Sequence, residues 1–222
     1  MCGRYALIAA LERLRDDMEL DEYFDNYSKR YNILPTSEVP IILKNEKLKL
    51  RLDSMRFGWK FPWGSGVTMN ARKENLTTSK LWKRSYQNKR CLIPISYFYE
   101  WQELPGNKNK LPWKISFKKN EIAYLPGIWV NWKDEKAGEI RVCEIITTEA
   151  NEKMKEIHNS GGNKWRQPAF LDKKKVMAWL DEKETDFERL NSLTRQTTEK
   201  EMEFVPLEKI GDDKTNSEPI QK

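Results

Sequence analysis

The sequence predicts a single α+β domain in which mainly antiparallel strands form a barrel-like core with flanking helices. Three observations lead there. The 222 residues amount to more than one average domain of about 150 and less than two, and no internal repeat or interdomain linker divides them. Apolar and polar residues alternate through most of the middle of the chain, the period of a strand with one buried face. Helical spacing is confined to one segment near the start and two in the last third.

The first element expected is an amphipathic helix. Leu7, Leu11, Leu14 and Met18 recur at helical spacing, and Glu12, Arg13, Arg15, Asp16 and Asp17 fill the other face, so residues 1 to 5 run directly into the fold. From Ile41 the period changes: Leu48, Leu50 and Leu52 alternate with Lys49 and Arg51 after the turn-like Lys44-Asn45-Glu46-Lys47, which predicts a hairpin. Cys91 to Trp101 is a nearly continuous apolar and aromatic run broken by Pro94, and Ile115/Phe117, Ile122/Tyr124, Ile128/Val130 and Ile140/Val142 alternate in further strands. Thr147 and Thr148 are expected to cap a helix starting near Glu149, and Asp172 to cap another holding Val176, Met177, Trp179 and Leu180. Phe204 to Leu207 reads as a last short strand. The domain is expected over residues 1–210, and the tail 211–222, with one aliphatic residue, is expected to be disordered.

Composition excludes several classes. Lys+Arg 40 against Asp+Glu 34 leaves +6, a balance mild enough to serve solubility and too mild to single out a polyanionic partner by itself. No run approaches the roughly 18 apolar residues of a membrane-spanning helix, so no membrane partner is expected. Nine Trp with eight each of Tyr and Phe can offset chain entropy, which excludes wholesale disorder. Three cysteines without a C-x-x-C pair fit neither a disulfide framework nor a metal site and suit a reducing compartment. The apolar stretch from Tyr5 is ended by Glu12 and Arg13 before a secretory segment forms, so a cytoplasmic protein is expected.

Cys2 is the most informative residue for chemistry. A small side chain after the initiator Met favours removal of Met1, and the new terminus would carry an amine and a thiol on adjacent carbons. Such a 1,2-aminothiol attacks an aldehyde twice, the amine forming a Schiff base and the thiolate closing a five-membered thiazolidine. Reference pKa values of about 7.7–8.0 for the amine and about 8.5 for the thiol keep both nucleophiles accessible near neutral pH. The alternative is an incidental cysteine at a frayed end. Cys91 and Cys143 lie in apolar strands and read as small core residues. His158 is the one histidine, hence the one imidazole available near pH 7. Glu100 stands inside Tyr97-Phe98-Tyr99-Glu100-Trp101, where an aromatic shell would raise its pKa into the acid/base range, unless it faces solvent at a strand end. Asn70-Ala71-Arg72-Lys73-Glu74 can be a turn-to-helix connection and nothing more.

Taken together, Met1-Cys2-Gly3-Arg4-Tyr5, Asn70-Ala71-Arg72-x-Glu74, Arg90-Cys91-Leu92-Ile93-Pro94 leading to Phe98-Tyr99-Glu100-Trp101, Thr147-Thr148-x-Ala150-Asn151 and Ile157-His158 form a specific set. In order and spacing, to about Leu207, it resembles the SOS response-associated peptidase family, also called abasic-site processing proteins. That resemblance implies a protein that scans single-stranded DNA and traps the ring-opened aldehyde of an abasic site with its N-terminal Cys, after removing its own Met or a short leader. Carried onto this chain, Cys2 would be the nucleophile and Asn70 would position the terminus or the sugar. Glu100 would shuttle protons, and His158 would assist opening of the deoxyribose and protonate its O4′. Arg4 and Arg72 would grip phosphates flanking the lesion. Neither a metal nor an organic cofactor is implied. The expected partner is single-stranded DNA with abasic sites, bound by a monomer that is nucleoid-associated while on DNA.

Pro35, Phe57 and Trp59 are candidates to stack or wedge against bases, each with a core role as the alternative. The chain also departs from the family pattern. The usual H-x-R-M-P becomes His158 followed by seven residues before Arg166-Gln167-Pro168, so Arg166 is the candidate for the phosphate-binding Arg with an insertion in front of it. Tyr97 stands where a glycine usually precedes Phe-Tyr-Glu-Trp, and Phe57-Gly58 replaces a Trp-Gly pair. Two other readings stay open: a cysteine peptidase acting on proteins through Cys2 and His158, and a non-covalent single-stranded DNA-binding protein.

Overall fold

A computed structural model describes residues 3–24, 27–62, 64–136, 138–215 and 217–222. In chain order the elements are β1 (Tyr5–Leu7), α1 (Leu11–Met18), β2 (Arg30–Ile33), β3 (Glu38–Lys44), β4 (Leu50–Phe57) and β5 (Asn70–Arg72). There follow α2 (Lys83–Asn88), β6 (Arg90–Ile95), β7 (Tyr97–Gln102), β8 (Leu111–Phe117), β9 (Ala123–Asp134), β10 (Gly138–Glu149) and α3 (Glu152–Ile157). The last third holds β11 (Arg166–Pro168), β12 (Phe170–Leu171), α4 (Val176–Trp179), α5 (Phe187–Leu193), β13 (Thr194–Arg195), β14 (Met202–Lys209) and β15 (Ile220–Gln221).

Five of the strands close on themselves. In the order β10, β4, β3, β6, β9 each pairs with the next, and β9 returns to β10, so the barrel has no free edge. All of its pairs are antiparallel except β10 with β4. The expected hairpin is the β3–β4 pair. A second sheet runs β15-β14-β8-β7-β1-β2. The apolar run from Cys91 to Trp101 links the two sheets: β6 belongs to the barrel, β7 to the second sheet, and Ser96 between them donates its N–H to the Ala6 carbonyl at 2.8 Å. Because β6 and most of β7 are buried on both faces, the run shows no alternation. Cys91 and Cys143 lie in the core, as expected. Gly58 ends β4 at φ +72, and a Cβ there would stand 2.3 Å from the Thr68 carbonyl oxygen, so glycine is required where the chain leaves the barrel.

Several expectations are corrected. Leu7 belongs to β1, because its segment is paired on both sides by β2 and β7, and the helix begins only at Leu11. Thr147 and Thr148 do not cap α3; they are ladder residues opposite β11, and Asn151 is the cap, its side chain accepting the Met154 N–H at 2.9 Å. Asp172 makes no capping bond, since its carboxylate is taken by Arg195 at 3.0 Å. The tail is not disordered over its described residues. Asp213 accepts the N–H groups of Tyr31 and Asn32 at 2.6 and 2.7 Å and pairs with Arg30 at 2.9 Å, and β15 adds an edge strand to β14. Polar bonds to backbone hold the tail, which a composition argument resting on apolar burial does not register. Among the described residues no helix is long and apolar enough to cross a membrane.

Candidate active site

Glu100 enters the site from β7, where its register partner is Trp113 of β8 and its neighbours are aromatic. It is 3% exposed, and burial pushes its carboxyl up to about 7. His158 comes from the C-terminal end of α3, which follows β10 through the Asn151 cap. Its Nε2 lies 3.9 Å from Glu100 Oε2, and burial lowers the imidazole to about 4. Nδ1 lies 3.2 Å from the Arg166 carbonyl oxygen, a contact that favours a proton on Nδ1 and leaves Nε2 as an acceptor facing Glu100. A buried acid and a neutral imidazole, each moved toward the other's ordinary range, are poised to exchange a proton with a bound molecule near pH 7.

The surrounding residues are assembled by strand pairing. β5 lies parallel to β10, with Asn70 opposite Ile145 and Arg72 opposite Thr147. Asn70 is half-buried and donates from Nδ2 to the Met69 carbonyl at 2.8 Å. Arg166, on β11, makes a two-pronged pair with Glu74 at 3.1 and 2.8 Å and donates to the Thr147 carbonyl at 2.7 Å. Arg72 is exposed and donates to the Asn163 side chain within the insertion. Arg4 lies over the Trp101 ring, its guanidinium 5.4 Å from the centroid, and its carbonyl accepts the Tyr99 N–H at 2.9 Å. Sequence reasoning therefore anticipated residues that the fold joins, Glu100 with His158, and the fold places Arg4 against the two chain neighbours of Glu100, Tyr99 and Trp101. Cys2 lies outside the described residues.

Phe57 requires correction as a base-wedging candidate. It is completely buried and packs edge-on against Tyr5 at 5.2 Å, so its ring cannot meet a base. Pro35 and Trp59 are half-buried; Arg56 lies over the Trp59 ring at 5.0 Å. Two features were missed. Glu74 anchors Arg166, for which the i+4 spacing from Asn70 was the available signal. Trp165 is exposed, and a lone aromatic in a polar, glycine-bearing loop marked it. Among the described residues no group of three or more His, Cys, Asp or Glu is placed to hold a metal ion.

A closed five-strand barrel joined to a second curved sheet, with a buried carboxyl–imidazole pair, defines an α+β protein. The model of the SOS response associated peptidase (SRAP) family matches residues 1–210, and the chain belongs to that family. It is 34% identical to the abasic site processing protein YoaM of Bacillus subtilis over 87% of this chain and 85% of that one. It is 30% identical to YoqW of Bacillus phage SPbeta, also named an abasic site processing protein, over 99% and 97% of the two chains. A solved protein of Bacteroides thetaiotaomicron shares the fold with a TM-score of 0.78 at 21% identity, covering 93% of this chain and 92% of that one.

Proposed function

We propose that this protein recognises abasic sites in single-stranded DNA and joins itself to them through a thiazolidine formed by Cys2, exposed by autocatalytic or aminopeptidase removal of Met1. The observation that supports this reading most is the buried Glu100–His158 pair, 3.9 Å apart. An abasic sugar is mostly a closed hemiacetal, and opening it needs a base for the anomeric hydroxyl and an acid for O4′. His158, neutral near pH 7, is suited to be the base, and Glu100, protonated over much of the range below pH 7, to be the acid. These roles differ from the expectation that His158 itself protonates O4′, because an imidazole lowered to about 4 holds no second proton at neutral pH.

The chemistry then proceeds at one carbon. The proton that His158 took from the anomeric hydroxyl passes to Glu100, and the α-amine of Cys2 adds to the aldehyde. The carbinolamine loses water with a proton from Glu100 and returns its N–H proton to Glu100, and the thiol sulfur adds to the imine carbon while its proton goes to the nitrogen. One water leaves overall. Chain geometry supports the placement of the nucleophile: Cys2 is two residues before Arg4, at most about 7 Å of chain, and the carbonyl of Arg4 is bonded to the residue preceding Glu100. Holding amine, thiol and acid at one place makes the condensation effectively intramolecular. Asn70 positions the terminus or sugar, Arg4, Arg72 and Arg166 bind phosphates, and Pro35 and Trp59 meet bases. The site works in one chain, wherever single-stranded DNA is exposed.

The test is a denaturing gel. Wild-type protein mixed with an oligonucleotide carrying one abasic site gives a heat-stable adduct, and Cys2→Ala does not. Equal heat-stable adduct from both proteins would overturn the reading.

A further inference from the structure

The insertion between His158 and Arg166 builds an exposed aromatic surface. Trp165 is 49% exposed and is the exposed tryptophan among the described residues. Its backbone is fixed on both sides: the N–H donates to the His158 carbonyl at 2.9 Å, and the carbonyl accepts the Ala150 N–H at 2.9 Å. It adopts φ +63, a left-handed conformation that bulky side chains rarely enter and that persists only where the surroundings impose it. A residue held in an unfavourable conformation by two backbone bonds, with its ring left in water, is not explained by packing.

The rest of the loop is tied to both sheets. Asn159 exchanges two hydrogen bonds of 2.9 Å with the Glu103 backbone, just after β7, and Ser160 accepts from Lys110 at 2.7 Å. Asn163 accepts from Arg72 of β5. The loop thereby joins the strand that carries Glu100 to the strand that carries Asn70, and sets Trp165 next in line to the catalytic imidazole. One cation lies on the ring, Lys164 at 4.1 Å from its centroid, and two more border the loop: Arg72 bonded to Asn163, and Arg166 next in the chain. An exposed aromatic face among cations is what a single strand requires, because every base offers a π-face to stack and every linkage a phosphate.

We propose that Trp165 is the stacking platform for a nucleobase adjacent to the abasic site, a specificity-determining contact supplied by the insertion. The proposal rests on the function proposed above and identifies one part of the substrate that the site reads. Stacking holds the neighbouring nucleotide, and with it the sugar gap, against His158. It also makes recognition tolerant of base identity, since stacking uses the ring face alone.

The experiment measures equilibrium binding, by anisotropy, to fluorescent single strands carrying the unreactive tetrahydrofuran analogue of an abasic site. One strand has ordinary bases on both sides of the analogue; a second replaces both neighbouring nucleotides with further tetrahydrofuran units. Trp165→Ala is expected to bind the first strand about tenfold more weakly than wild type, Trp165→Leu similarly, and Trp165→Phe within about threefold. On the second strand all four proteins bind alike, which also shows that the variants are folded. Unchanged affinity of Trp165→Ala for the first strand overturns the proposal, and so does an equal loss on both strands. The wild type is tested in parallel for heat-stable adduct with a true abasic strand. If it forms the adduct while Trp165→Ala and Trp165→Leu bind the first strand normally, only the platform is wrong. If the wild type forms none, the proposed function falls and the platform with it.

Discussion

Nε2 of His158 faces Oε2 of Glu100 across 3.9 Å, with both side chains more than nine-tenths buried. The gap is too long for a hydrogen bond. Burial gives the two groups complementary states: carboxyl about 7, imidazole about 4. The Nδ1–H donated to the Arg166 carbonyl at 3.2 Å keeps Nε2 turned toward the acid.

From that pair follows a pH profile for adduct formation at saturating DNA. The amine and thiol of Cys2 react when deprotonated, so the rate rises with pH; the acid form of Glu100 is lost as pH passes about 7, so the rate then levels or falls. Glu100→Gln is expected to slow the reaction by about 10²–10³-fold, the order of a general-acid contribution, and to erase the alkaline inflection, leaving only the rise. DNA affinity should change less than twofold. Should the variant keep the inflection near 7, the titrating group is another.

Arginine contacts to phosphate should be legible in salt dependence. Arg72 is exposed beside the insertion, and if it binds a phosphate, Arg72→Ala lowers the slope of log affinity against log salt by about 0.7, the single-strand value per phosphate. Phe57→Ala provides the contrast. It empties a fully buried site against Tyr5 and is expected to cost about 3–5 kcal/mol of stability with the slope unchanged. An unchanged slope in Arg72→Ala would remove Arg72 from the interface.

The aromatic neighbours of Glu100 made it legible as a candidate buried acid, with a solvent-facing strand end as the alternative, and the pairing of β7 with β8 decides for burial. Alternation made barrel strands such as β4, β9 and β10 legible, an unbroken apolar run marked β6, and polar residues marked the β3–β4 turn. The 3.9 Å approach of His158 was legible only through resemblance, since it depends on where β10 releases the chain into α3, and local signals misplace that point: Thr147 and Thr148 look like caps and serve as ladder residues. The tail failed for a related reason. Asp213 is tied down by two backbone N–H groups nearly two hundred residues away in sequence, which no window of composition contains.

Glu144 is a second buried acid, on β10 within the barrel wall, and the proposed chemistry does not use it. Burial pushes its carboxyl to about 8, whereas in the unfolded chain it titrates near ~4.3. Between those values the native state holds the extra proton, so this group's stabilisation is complete below the unfolded pKa and is lost as pH rises through about 8. His158 has the opposite sign, its lowered pKa making stability rise between about 4 and 6.5. A window of pH 6.5–8.5 isolates the carboxyls. There, wild type is expected to lose about 2 kcal/mol in urea titrations, and Glu144→Gln, which stays neutral, to lose much less. Parallel declines in the two proteins would place the titration elsewhere.

Arg90 begins the Arg90-Cys91-Leu92-Ile93-Pro94 segment, and a motif arginine in a DNA-linked family invites a phosphate-binding role. Its surroundings assign it another. The side chain is 4% exposed and donates to the carbonyls of Trp179 at 2.6 Å, Tyr86 at 2.7 Å, Asp181 at 2.5 Å and Glu184 at 3.1 Å, and also to that of Gln87. Most of these acceptors lie at the C-terminal ends of α2 and α4, where carbonyls lack intrahelical partners and the helix dipole favours a cation. One guanidinium, with five N–H donors in a planar fork, thus satisfies two helix ends and pins them to β6. Lysine brings three donors from a single point and leaves acceptors unsatisfied, each costing about 1–3 kcal/mol when buried. Arg90→Lys is therefore expected to lower stability by about 2–4 kcal/mol and Arg90→Ala by more, read from denaturant midpoints. Adduct formation per folded molecule, measured well below the midpoint, should match wild type, and the salt slope of DNA binding should not move. A slope reduced by about 0.7 with stability intact would instead make Arg90 a phosphate ligand and contradict the burial seen here.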